Sequence, residues 1–66
     1  MPDSLLSNRE IFIEFYPLGN LVKVSAMDTQ TLTEISIQGP ASASQEKLKA
    51  SALKRLEYVL EKKGLI

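Results

Sequence analysis

The chain has no cysteine and no histidine among its 66 residues. The first absence excludes disulfides. The two together exclude zinc fingers, Cys–His nucleophile pairs and histidine acid–base catalysis. No run approaches the ~20 apolar residues needed to cross a bilayer. Residues 1–8, MPDSLLSN, lack a positive n-region and an apolar core, so no signal peptide is predicted. The expectation is a soluble, cytoplasmic protein with no membrane association. No Walker loop, dinucleotide-binding glycine fingerprint or calcium-type loop occurs, and there is no internal repeat or low-complexity segment. No metal, cofactor or small-molecule substrate is expected. An enzyme is not expected either, because a chain this short without His or Cys has few ways to build a pocket.

A domain of this size buries only about 60 % of the surface its unfolded chain exposes. Small folds therefore add a staple, and with disulfides and metals set aside the staple left is a partner subunit. The net charge is zero but unevenly placed. Residues 1–40 carry five acids and two bases, and residues 41–66 carry six bases and three acids. Such polarity favours self-association in a fixed orientation, or an acidic partner for the C-terminal part.

That C-terminal part is the most legible stretch. From Ser42 to Lys63, residues Leu48, Ala52, Leu56, Val59 and Leu60 fall on one stripe at about 100° per residue, with Leu53 at its edge. Ser42 and Gln45 fit a capping box. Ser44 is a rival cap two residues on, with Leu48 placed to staple onto Ala43. Lys62 and Lys63 suit the negative end of the helix dipole, and Gly64 suits the left-handed position that ends a helix.

The first forty residues alternate as strands. Residues 1–8 read as a flexible tail onto which Leu5 and Leu6 can tuck, and residues 9–66 as a single domain. Glu10–Tyr16, Leu21–Met27 and Leu32–Gln38 are the expected strands, with turns at Pro17-Leu18-Gly19-Asn20 and Asp28-Thr29-Gln30-Thr31. Gly39-Pro40 ends the third. Two tight connections imply an antiparallel meander. The predicted fold is α+β, a three-stranded antiparallel β-meander followed by one C-terminal α-helix packed on one sheet face. The helix stripe covers Ile11, Ile13, Phe15, Val22, Val24, Ala26, Ile35 and Ile37. One helix cannot cover both faces.

The run Gly19-Asn20-x-Val22-Lys23-Val24-x-Ala26-x-Asp28, then Thr33-Glu34-x-Ser36-Ile37-x-Gly39-Pro40-Ala41-Ser42-Ala43, then Leu56-Glu57-Tyr58-Val59-Leu60, resembles a small uncharacterised domain family of alphaproteobacteria. The resemblance spans roughly residues 9–62. It implies no activity, cofactor or site residue.

Phe12, Tyr16, Met27 and Leu32 are expected on the uncovered face, as a candidate self-association surface. A dimer is favoured, face to face or edge to edge. Lys47, Lys54, Arg55, Tyr58 and Lys62, with Ser51, share the solvent side of the helix. Cations with an interleaved aromatic suit phosphates and a stacked base, so a nucleic-acid-binding accessory role is the alternative. Against it stand Glu57 and Glu61 beside the stripe and a chain that is not basic overall. The other constellations read as structural. The Gly39–Ser44 loop could hold an anion at a helix N-terminus, but the caps it supplies are demanded anyway. Ser51 between Lys47 and Lys54 lacks an oxyanion site. Glu10, Glu14 and Glu34 keep an exposed face soluble or pair with lysines. The expectation is a non-catalytic, self-associating interaction module.

Overall fold

The computed structural model describes Leu6 and residues 8–66. Three strands and one helix follow in order: β1 (Ile11–Leu18), β2 (Leu21–Asp28), β3 (Thr33–Pro40) and α1 (Gln45–Lys62). The strands form one antiparallel sheet with β2 in the centre. This is the expected β-β-β-α arrangement, with the helix laid across β2 and β3.

The first hairpin is tighter than the four-residue turn expected. Leu18 pairs with Leu21, leaving only Gly19-Asn20 between the strands. Gly19 holds φ +63 where a side chain would be strained, the demand of a two-residue hairpin turn. Pro17 sits inside β1, which it can do because β1 is an edge strand.

The second connection is shifted by one residue. Asp28 still belongs to β2, and the turn is Thr29–Leu32. Leu32, expected as the first residue of the third strand, stands in that turn at φ +60 and is 71 % exposed. Alternation extended the strand one position too far, because a lone exposed leucine beside a strand looks like part of it.

The helix starts at Gln45, not at Ser42. Ser44 is the cap, its Oγ accepting from the Lys47 amide at 3.2 Å. Ala43, just before the cap, packs against the core that includes Leu48, the hydrophobic-staple arrangement. At the other end Gly64 takes φ +72, and its amide and that of Leu65 return to the Glu61 and Leu60 carbonyls. These paired bonds close the last turn in a Schellman motif.

Leu48, Ala52, Leu56 and Leu60 are buried on the helix, with Leu53 and Val59 partly so. They meet Val24 and Ala26 of the central strand, flanked by Ile11, Ile13, Phe15, Val22, Ile35 and Ile37. Leu6 and Ile66, from opposite ends of the chain, join the same core. The remainder of the expected tail, residues 1–5 and 7, lies outside the described residues. Gly39 was expected to end a strand, but it is a paired β3 residue opposite Val22. A Cβ there would run into Leu48 Cδ2, so a side chain at this position would have to displace the end of the leucine that packs the helix on the sheet.

Candidate functional site: the open face of the sheet

Strand geometry sends alternate side chains to opposite faces. The face away from the helix is therefore a grid set by the two registers. Its rows, read across β1, β2 and β3, are Phe12–Met27–Glu34, Glu14–Ser25–Ser36, Tyr16–Lys23–Gln38 and Leu18–Leu21–Pro40. Apolar residues of β1 and β2 occupy the two ends, the charged residues Glu14 and Lys23 the middle, and the exposed Glu34 the β3 corner of the Phe12 row. Phe12 is 57 % exposed, Leu18 53 %, Leu21 44 % and Tyr16 42 %. Among the described residues no element lies over them.

The middle of the grid is already organised. The Tyr16 hydroxyl donates to the Glu14 carboxylate. The Lys23 ammonium sits 5.7 Å from the Tyr16 ring centroid, in cation–π range. The hydrogen bond to Glu14, then burial, then the negative charge of Glu14 raise the Tyr16 pKa above its usual value. A depression of about 480 Å³, with Tyr16, Leu18, Lys23, Ser25, Glu34 and Ser36 in its lining, opens on this face. An apposed surface thus has a concavity to fill.

The structure brings Phe12, Tyr16 and Met27 onto one face and sets Leu32 apart in the turn. Leu18 and Leu21 complete the patch. Sequence reading put Leu18 in a turn, although the Gly19-Asn20 pair marks a two-residue hairpin that leaves both leucines on strands.

On the helix, Lys47, Lys54, Arg55, Tyr58 and Lys62 are all exposed. The Arg55 guanidinium lies 5.5 Å and the Lys62 ammonium 5.8 Å from the Tyr58 ring centroid. Two cations therefore already engage the aromatic that a base would stack on.

A third cluster escaped the sequence reading. Asp28 is fully buried at the end of β2. Its Oδ2 accepts from Arg9 Nη1 at 2.7 Å, from the Thr31 hydroxyl at 2.7 Å and from the Thr31 amide at 3.2 Å. Arg9 also donates to the Leu65 carbonyl. Burial alone would push the Asp28 pKa up. The Thr31 hydroxyl, the Gln30 amide, the Arg9 charge and the Thr31 amide outweigh it, so the carboxyl titrates below its usual range. An aspartate opening a turn with threonine three residues on was the available signal; its pairing with Arg9 was not.

No group of three or more acidic, His or Cys side chains suited to a metal occurs among the described residues. No helix there is long and apolar enough to cross a membrane.

These features define a small α+β domain with one sheet face covered by its helix and the other open among the described residues. The chain belongs to the family described as a domain of unknown function (DUF6898), whose model matches residues 8–63. No curated protein and no solved structure matches it.

Proposed function

We propose that this protein is a small non-catalytic interaction module that associates with a second copy of itself through the open sheet face. The observation that carries this reading is the pair of apolar ends on that face, exposed Phe12 beside half-buried Met27 and exposed Leu18 beside exposed Leu21. Fully burying a large apolar side chain contributes about 1.5–3 kcal/mol, and these side chains, already about half buried, contribute roughly half of that each. Several together offset much of the 4–15 kcal/mol that association costs by rough estimate. The reading takes the protein as cytoplasmic, where a chain without cysteine lacks nothing it needs for folding.

Sedimentation velocity over a concentration series tests it. The expected result is a dimer at micromolar concentration that Phe12→Glu breaks. Phe12→Glu largely spares an edge-to-edge dimer, which would form through the backbone of β1 or β3 instead. A folded monomer at high micromolar concentration would sink the proposal. The alternative, a nucleic-acid-binding accessory protein, draws on the cations along the helix. It is weakened by the engagement of Tyr58 with Arg55 and Lys62.

A further inference from the structure

The geometry points to a specific pairing, and we propose it: the two copies pack face to face about a two-fold axis that runs across the strands. Each end of the grid then meets the opposite end of the second copy. This rests on the self-association reading above.

Two sheets packed face to face lie about 10 Å apart with strands roughly aligned. A two-fold axis relating them lies in the plane between, either along the strands or across them. The residue pattern separates the two.

With the axis along β2, every residue of β2 faces its own copy. Lys23 then stands over Lys23 of the second copy, and Phe12 of β1 stands over Glu34 of the second copy's β3. A like-charged pair and an apolar ring against a carboxylate both disfavour this arrangement.

With the axis across the strands, the rows exchange end for end. Phe12 meets Leu18 of the second copy, and Met27 meets Leu21 of the second copy. Glu14 faces Tyr16 of the second copy, one strand from that copy's Lys23. The two Glu14–Tyr16–Lys23 clusters thus meet around the axis with acid near base. Phe12, Met27, Leu18 and Leu21 bury one another, Glu34 falls over Pro40 of the second copy at the β3 edge where its carboxylate can reach water, and Glu14 comes near the second copy's Lys23 across the two middle rows. The crosswise operator avoids the Lys23–Lys23 pair and sets Phe12 against a leucine, and the lengthwise operator does neither.

The absence of native cysteine makes the test clean. Leu21→Cys and Met27→Cys are made as separate single variants and checked for folding and dimerisation by sedimentation. Each alone, and the two mixed, are treated with a bismaleimide of roughly 10 Å span, the sheet-to-sheet spacing. The crosswise axis predicts crosslinked dimer only in the mixture. It leaves each cysteine roughly 20 Å along the strand from its own copy, six residues at ~3.3 Å each. Crosslinking of each variant alone would assign the lengthwise axis and overturn the proposal. No crosslink in variants that still dimerise would overturn it too.

Charge reversal gives an independent readout. Glu14→Lys should weaken the dimer by roughly five- to tenfold, and Glu14→Lys with Lys23→Glu should restore it. Failure of that rescue in a dimer that Phe12→Glu still breaks would refute the crosswise pairing while leaving self-association standing. A monomeric wild type would refute both.

Discussion

Arg9 reaches across 19 positions of sequence to place its guanidinium 2.7 Å from Asp28 Oδ2, and that carboxylate is wholly buried. Among the described residues no donor meets its second oxygen at hydrogen-bonding geometry. The carboxylate thus depends on few partners. Arg9→Ala should cost about 1.5–3 kcal/mol, the range for a hydrogen bond to a charged group. The pH dependence has a definite sign. The folded pKa of Asp28 lies below its usual value. Its contribution to stability is therefore present at neutral pH and lost as pH falls through the ordinary carboxylate range to the lowered folded value. Thermal unfolding from pH 7 down to pH 2 should show a steeper acid loss for wild type than for Asp28→Asn. Equal slopes would remove Asp28 as a cause of acid sensitivity.

Gly39 and Leu48 should be energetically coupled. A Cβ on Gly39 meets the end of the Leu48 side chain, which is buried against the sheet. Gly39→Ala should cost about 1–3 kcal/mol by overpacking. Leu48→Ala alone should cost about 2–5 kcal/mol through the cavity it leaves. In the double variant the methyl enters space that the leucine vacated, so the two costs should not add. Urea unfolding of all four proteins measures this. Additive costs would mean that Gly39 is required by its backbone and not by the helix above it.

The two couplings show where sequence stops being informative. The helix was legible because Leu48, Ala52, Leu56 and Leu60 repeat at helical spacing, and the sheet because Ile11, Ile13 and Phe15 alternate. From these came the meander, the covered face and the exposure of Phe12 and Tyr16. The helix start was ambiguous because Ser42 and Ser44 both satisfy the local chemistry of a cap. In the fold they are distinguished by the Lys47 amide, which donates to Ser44 Oγ, and by Ala43 packing against the core that includes Leu48. Asp28 with Arg9, and Gly39 with Leu48, are contacts between distant segments. No local pattern encodes them, so one residue looked like a polar turn and the other like a strand end.

Leu32 occupies a conformation that its side chain opposes. At φ +60 a residue with a Cβ carries roughly 1–2 kcal/mol of strain. At 71 % exposure the side chain gains little burial in return. Leu32→Gly should therefore raise stability, by about 0.5–1 kcal/mol after the greater flexibility of unfolded glycine is counted. Leu32 lies off the strand grid, so the dimer dissociation constant should not change. Differential scanning calorimetry and sedimentation together report both quantities. A stabler but dissociating variant would return Leu32 to the interface.

The cations on the helix should bind polyanions only through charge. Lys47, Lys54, Arg55 and Lys62 can neutralise at most four phosphates from this face. Counterion release then limits the slope of log K against log salt to about −3.5 on duplex DNA, from roughly −0.9 per phosphate. Such binding fades near physiological salt. Replacing Lys54 and Arg55 by Ala should reduce the slope by about 2, in proportion to the phosphates lost. Tyr58→Ala should change little, because Arg55 and Lys62 already lie against the ring and a stacked base would have to displace one of them. Mobility shifts with single- and double-stranded probes across a salt series decide the matter. A tight, sequence-selective complex near physiological salt that Tyr58→Ala abolishes would reverse the ranking. The helix would then be the functional face, and the open sheet an ordinary half-apolar surface.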